Sequence, residues 1–92
     1  MGSAMAKHIL VKTRQEAEKL KQRLANGEDF AKLARKYSTC NSRKWDGDLG
    51  EVFPGQLMKP IENVIFKKPL FKVHGPVKSQ FGYHLVVVYF RS

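Results

Sequence analysis

The residues with the widest chemical range in this sequence are three histidines and one cysteine. His8 and His84 each lie at the start of an apolar run, one near each end of the chain, and each run is predicted to be a strand. If the two strands are neighbours, the imidazoles come within hydrogen-bonding distance, and one ring can fix the tautomer of the other. The alternative from spacing alone is a pair of core histidines that are satisfied separately.

Cys40 lies in a polar stretch and not in a hydrophobic stripe, so its thiol is available for chemistry. An incidental loop cysteine is the alternative. No nucleophile elbow or oxyanion loop accompanies Cys40, which argues against a Cys–His hydrolase. The histidines and the cysteine show neither CxxC nor HxxxH spacing, so we expect no metal and no cofactor. His74, beside Gly75 and Pro76, is expected at the surface.

The charge balance is the unusual feature of the composition. Seventeen Lys and Arg against eight Asp and Glu give a net charge of +9, which attracts nucleic acid, anionic membrane or acidic protein. The basic residues are spread from Lys7 to Arg91, however, and this spread favours a solvated basic surface without a dedicated partner. Trp45, flanked by Arg43 and Lys44, is the one aromatic candidate for stacking on a nucleic acid.

Length and composition indicate a single small domain. A chain of 92 residues with 42% hydrophobic residues holds one core. The longest apolar run, Leu85 to Phe90, is too short for a membrane span, and no secretion signal is recognised at the start of the chain. One cysteine allows no intramolecular disulfide. We therefore expect a cytoplasmic monomer without a membrane partner, formed by residues 5–92 after a cloning remnant over residues 1–4.

The first half of the chain is predicted to contain a strand, two helices and a loop. The strand covers residues 7–12, and Thr13 with Glu16 then forms a capping box that opens a helix ending at Gly27. Asp29 is expected to cap a second helix. Small polar residues and glycines over residues 38–50 predict a long irregular loop.

The second half is predicted to contain a short strand, a helix and a closing hairpin. The strand covers residues 49–53, and Pro60 opens the helix. Residues 75–78 suit an edge strand, where Pro76 is tolerated. Residues 84–91 are apolar on both alternating faces, so this strand is expected to be central, with the N-terminal strand beside it. The element order predicts the α+β class.

The chain contains five short motifs, at residues 8–12 (HILVK), 38–40 (STC), 47–50 (GDLG), 55–56 (GQ) and 81–84 (FGYH). Their order and spacing resemble those of the parvulin peptidyl-prolyl cis/trans isomerases. The resemblance covers Met5 to Ser92 and is greatest to small bacterial parvulins that consist of the catalytic domain alone. It implies a four-stranded antiparallel sheet surrounded by about four short helices, and an enzyme that rotates X-Pro bonds in folding or flexible protein chains.

The resemblance also assigns site residues. His8, Cys40 and His84 match the catalytic residues of the family. The proline pocket falls on positions along the loop, the third helix and the final turn, which are Leu49, Leu57, Met58, Ile61, Ser79 and Phe81.

Two pocket positions depart from the family pattern. Leu57 stands where methionine is usual, a change that conserves volume. Ile61 stands where an aromatic residue is usual, which removes a flat surface for the proline ring and predicts weaker or differently selective binding. Introducing Phe at Ile61 is therefore expected to raise activity. Met58, one position further on, offers a partial substitute for the missing methionine.

The resemblance leaves specificity and turnover as separate questions. Lys12 leads straight into the first helix, so the basic loop of phosphate-directed parvulins is absent and phosphoserine-proline specificity is not expected. Lys12, Arg43 and Lys44 could contact an acidic side chain of the substrate. Because rotation breaks no bond, Cys40 is expected to act electrostatically or positionally. A chaperone module that binds proline peptides with little turnover, and a basic nucleic-acid-binding module, are the alternatives.

Overall fold

The computed structural model describes residues 2–92, which form an α+β structure. The strands are β1 (Ala4–Val11), β2 (Asp48–Val52), β3 (Val73–Ser79) and β4 (Gly82–Arg91). The helices are α1 (Arg14–Ala25), α2 (Phe30–Tyr37), α3 (Lys59–Lys67) and a 3-10 helix over Asn41–Trp45. The strands make a four-stranded antiparallel sheet in the order β2-β1-β4-β3, which confirms the expected fold.

The apolar segment at the end of the chain becomes the central strand β4, as its two-sided hydrophobicity predicts. β4 pairs with β1 on one side and with the edge strand β3 on the other. Its alternating side chains enter two separate cores, because each face of the sheet is covered by different helices. Leu85 packs with α1 and α2, whereas Val86 and Val88 pack with α3.

The N-terminal strand is longer than the sequence predicts. β1 begins at Ala4, not at Lys7, and Ala4 is fully buried between Val52 and Arg91. Ser3 is also buried, and its hydroxyl donates to Glu51 at 2.6 Å. Leaving residues 1–4 out of the fold was therefore wrong for Ser3 and Ala4. Met1 lies outside the described residues.

Helix boundaries follow local chemistry with one exception. Thr13 caps α1 as predicted, because its hydroxyl accepts from the Glu16 N–H at 3.1 Å. Asp29 occupies the N-cap position of α2, but its side chain makes no capping hydrogen bond. Pro60 lies in the first turn of α3 as expected. No helix within residues 2–92 is long and apolar enough to span a bilayer.

The predicted irregular loop over residues 38–50 contains the 3-10 helix and the first residues of β2. The helix ends at Trp45 with Asp46 as its C-cap, and Gly47 then runs against β1, where its carbonyl accepts from the His8 N–H at 2.9 Å. A Cβ at Gly47 would lie 2.6 Å from the His8 carbonyl oxygen, and its φ is +83°. Only glycine fits this approach, which fastens the loop to the strand that carries His8.

Candidate active site

Neighbouring strands bring the two predicted histidines together. His8 of β1 pairs with Val86 and His84 of β4 pairs with Leu10, so the histidines are diagonal neighbours on one face of the sheet. Their Nδ1 atoms are 3.1 Å apart, and both side chains are buried. The predicted pair is confirmed, and the alternative of separately satisfied histidines is wrong.

A serine lies at each end of this pair. The Nε2 of His8 is 3.1 Å from the Ser42 hydroxyl, and the Nε2 of His84 is 2.7 Å from the Ser79 hydroxyl. Two neutral rings can share a bond between their Nδ1 atoms only if one donates and the other accepts. The chain from Ser42 to Ser79 is therefore directional: one histidine accepts a hydrogen from its serine and the other donates to its own.

Burial keeps the pair uncharged at neutral pH. Burial, with His84 nearby as a second cause, lowers the pKa of His8 from 6.5 to about 4. Burial also lowers the pKa of His84. A second charge beside the first would add repulsion to the desolvation cost, so the lowered pKa values favour two neutral rings at pH 7. Within residues 2–92 no buried side-chain nitrogen or oxygen lacks a hydrogen-bond partner.

The segment carrying Cys40 is fastened to β1 near the pair. Ser38 is buried, and its hydroxyl accepts from the N–H groups of Leu10 and Cys40 at 3.1 and 3.4 Å. The Thr39 N–H donates to the Leu10 carbonyl at 2.8 Å. Cys40 is half-buried with a free thiol at the N-cap of the 3-10 helix. These bonds hold the cysteine segment beside the strand residue that follows His8 by two positions.

The predicted pocket residues separate into surface and core. Leu49, Leu57 and Met58 are partly buried and pack on the α3 side of the sheet, the face that carries both histidines. Ser79 contacts His84 directly and also accepts from the Phe81 N–H at 3.1 Å. Phe81 is 61% exposed and therefore free to contact a ligand.

Ile61 does not line an open wall. It is only 2% exposed and packs in the core between α3 and the sheet. The expectation that it forms an open wall of the pocket is corrected by this burial, because Ile61 belongs to the same buried cluster as Val64 and Ile65, with Leu57 and Met58 packed against that cluster.

The predicted basic contacts are exposed. Lys12, Arg43 and Lys44 are exposed, and within residues 2–92 none of the three takes part in an ion pair. His74 is half-buried at the surface, as expected, and its Nε2–H donates to the Pro69 carbonyl at 2.8 Å, away from the pair. No group of three His, Cys, Asp or Glu side chains in the described chain could hold a metal ion.

Ser42 is the functional residue that sequence reasoning missed. It follows Cys40 by two positions in a polar segment, where nothing local distinguishes it from Asn41. Its contact with His8 arises because the 3-10 helix folds back on β1 through Gly47. The Gly47 position was the available signal, since a glycine there permits the loop to approach a strand.

Comparison with known proteins agrees with this geometry. A family model described as "Rotamase: PPIC-type PPIASE domain" matches residues 5–89. A foldase protein PrsA of Geobacillus sp. (strain WCH70) is 45% identical over 84 residues, which are 90% of this chain and 30% of that protein. The chain thus spans about a third of the length of such curated relatives.

Two solved structures are similar over nearly their whole length. The solution structure of NmPin, the parvulin of Nitrosopumilus maritimus, has a TM-score of 0.87 at 37% identity and covers 97% of each chain. Pin from Cenarchaeum symbiosum has a TM-score of 0.83 at 41% identity and covers 94% of this chain and 90% of its own. With a family match over nearly the full chain, this protein belongs to the PPIC-type, or parvulin, peptidyl-prolyl cis/trans isomerases.

Proposed function

We propose that this domain accelerates cis/trans rotation about X-Pro bonds in flexible or folding protein segments, without a covalent intermediate. The observation that carries the proposal is the buried, uncharged His8–His84 pair, hydrogen-bonded at both ends and lying on the same face as the apolar Leu49, Leu57 and Met58. Such a site offers fixed dipoles and an apolar surface, which rotation about an amide needs.

The physical basis is the loss of resonance in the twisted amide. The uncatalysed barrier is about 20 kcal/mol because the planar peptide bond has partial double-bond character. Twisting makes the amide less charge-separated, so an apolar pocket favours the twisted form over either planar form. Hydrogen-bond groups around the histidine pair are already oriented, so they act on the carbonyl of the substrate's X-Pro bond without having to reorganise.

Cys40 is assigned an electrostatic or positional role. Rotation makes and breaks no covalent bond, and the cysteine segment is fixed to β1 through Ser38 and Thr39. The test compares Cys40→Ser and Cys40→Asp in a peptide isomerisation assay. Both variants are expected to keep kcat/KM within about tenfold, which corresponds to about 1.4 kcal/mol. Abolition by both, together with a trapped tetrahedral adduct of the Cys40 thiol on the substrate carbonyl in the wild type, would overturn the assignment.

The exposed cations suggest a preference for acidic substrates. Lys12, Arg43 and Lys44 have no acidic partner within the described residues, so they could pair with a carboxylate beside the proline. In a series of Ala-Xaa-Pro peptides, Glu before proline is expected to raise kcat/KM over Lys at low salt. Added salt should reduce that difference, because exposed charges are screened.

Matched variants localise this preference. Lys44→Gln should lower the Glu-over-Lys ratio several-fold, whereas Lys19→Gln, which removes an equal charge from the exposed face of α1, should leave the ratio unchanged. Equal effects of the two variants would show that only the net charge acts. A Glu-over-Lys ratio near one in the wild type would contradict the contacts proposed for Lys12, Arg43 and Lys44.

A further inference from the structure

An open groove adjoins the histidine pair and contains the only tryptophan of the chain. The groove, called the Trp45 groove, has a volume of about 750 Å³ and is lined by Ser42, Lys44, Trp45, Asp46, Asp48 and Leu49, among others. Trp45 is 66% exposed. Together with Leu49, Trp45 gives the groove an apolar surface beside the candidate active site.

The groove is continuous with the candidate active site. Ser42 lines it and also bonds His8, and Leu49 lines it and also belongs to the apolar surface. In a 3-10 helix the side chains of residues three apart eclipse one another, so Ser42 and Trp45 lie on one face of the helix. They are separated by about 6 Å along the helix axis, the length of about two residues of an extended peptide.

The helix that presents Trp45 is held in place on two sides. The Gly47 N–H donates to the Ser42 carbonyl at 2.9 Å, and the Gly47 carbonyl accepts from His8 in β1. On the other side the Asp46 carboxylate pairs with Arg35 of α2 at 2.9 Å. A side chain on a fixed support loses little freedom on binding, so this arrangement favours a defined subsite.

The charged side chains that line the groove differ in whether another residue pairs with them. Asp46 is paired with Arg35, and the Asp48 carboxylate accepts from the Tyr89 hydroxyl and the Gly50 N–H. Lys44 has no ion-pair partner within residues 2–92. Lys44 thus shares the groove with two carboxylates. What the groove offers to an apolar ligand is the face of an indole and the Leu49 side chain, and this combination suits an apolar side chain.

We propose that the Trp45 groove is a substrate subsite that binds an aromatic or large aliphatic side chain about two residues away from the isomerised proline. The proposal rests on the proposed function, since the segment it binds is the one whose X-Pro bond lies at the histidine pair. It makes Trp45 a specificity-determining residue for extended substrates.

Tryptophan fluorescence reads out binding directly, because Trp45 is the only tryptophan. The probes are eight-residue peptides with one proline, no aromatic residue, and either Leu or Gly placed in turn at each of three positions on both sides of the proline. Leu at one favoured position is expected to give a saturable shift of Trp45 emission to shorter wavelength. The Gly peptide should give a much smaller shift at the same concentration.

Kinetics test whether the contact matters for turnover. The ratio of kcat/KM for the favoured Leu peptide over its Gly counterpart is expected to fall about tenfold in Trp45→Ala, with Trp45→Phe retaining most of it. Phe71→Ala is the matched control, because Phe71 is a 73% exposed aromatic outside the groove, and it should leave the ratio unchanged. Circular dichroism of each variant shows that the fold is kept.

The outcomes are distinct. An unchanged ratio in Trp45→Ala, or an equal loss with both peptides, would overturn the subsite. An emission shift with a single-stranded oligonucleotide and with neither peptide would also overturn it, in favour of a nucleic-acid surface. If the wild type binds the Leu peptide through Trp45 but accelerates neither peptide, the subsite stands and the proposed isomerase function fails.

Discussion

The buried histidine pair couples the stability of this domain to pH. The pKa of His8 is lowered from 6.5 to about 4 in the folded state, so between those values the unfolded chain binds a proton that the folded chain does not. The free energy of unfolding should therefore fall as pH drops from about 6.5 towards 4, by about 3 kcal/mol for this shift. Above pH 7, His8 should no longer make the free energy of unfolding depend on pH.

Urea unfolding of the wild type and of His8→Gln at several pH values measures this contribution. Between pH 6.5 and 4 the free energy of unfolding should fall less in the variant than in the wild type. The comparison cancels the contribution of the carboxylates, because both proteins contain them. His74→Gln, which changes the histidine outside the pair, serves as the control. Parallel curves for wild type and His8→Gln would contradict a neutral buried pair.

Burial of Ile61 reverses the sequence-based expectation for its substitution. At 2% exposure this position cannot present a new ring to the substrate, and a phenyl group would overpack the core under α3. Ile61→Phe is expected to lower the free energy of unfolding by about 1–3 kcal/mol and not to raise activity. Thermal unfolding and the peptide assay check both parts, with Leu57→Met as a volume-conserving control at the half-buried surface. A stable and more active Ile61→Phe would restore Ile61 to the pocket.

At the scale of elements, the two helix starts form a natural comparison. Thr13 makes a capping hydrogen bond to the Glu16 N–H, whereas Asp29 at the equivalent position of α2 makes none with its side chain. Thr13→Ala should therefore lower the free energy of unfolding by about 1 kcal/mol. Asp29→Ala should cost clearly less. Chemical denaturation measures both, and equal losses would show that the observed caps do not set helix stability here.

Most elements, and the pairing of the two histidines, could be predicted because local patterns agree with the tertiary structure. Two-sided hydrophobicity placed β4 at the centre of the sheet, and the central position of β4 beside β1 brought His84 to His8. The 3-10 helix was missed because Ser, Asn and Gly chemistry over residues 38–50 is compatible with many turns. The Ser42–His8 bond depends on where that segment docks, which no local pattern encodes.

At the scale of the whole molecule, the sheet separates structural from functional surfaces. The face covered by α1 and α2 is a core without histidine, whereas the α3 face combines a core with the histidine pair and the partly buried Leu49, Leu57 and Met58. The sheet thus carries the histidine pair and Leu49, whereas Leu57 and Met58 come from the segment that leads into α3. The chain as a whole carries a net charge of +9, which attracts acidic segments over distances of about 10 Å at moderate salt.

The central claim, that this domain rotates X-Pro bonds, is tested most directly by two-dimensional exchange NMR. A short Ala-Leu-Pro peptide with catalytic amounts of protein is expected to show exchange cross-peaks between its cis and trans forms, because uncatalysed rotation takes tens of seconds or longer at 25 °C. Signals of Cys40 and Leu57 should shift in the same sample. Those shifts without any exchange cross-peaks would contradict catalysis and identify a proline-peptide-binding module on this fold.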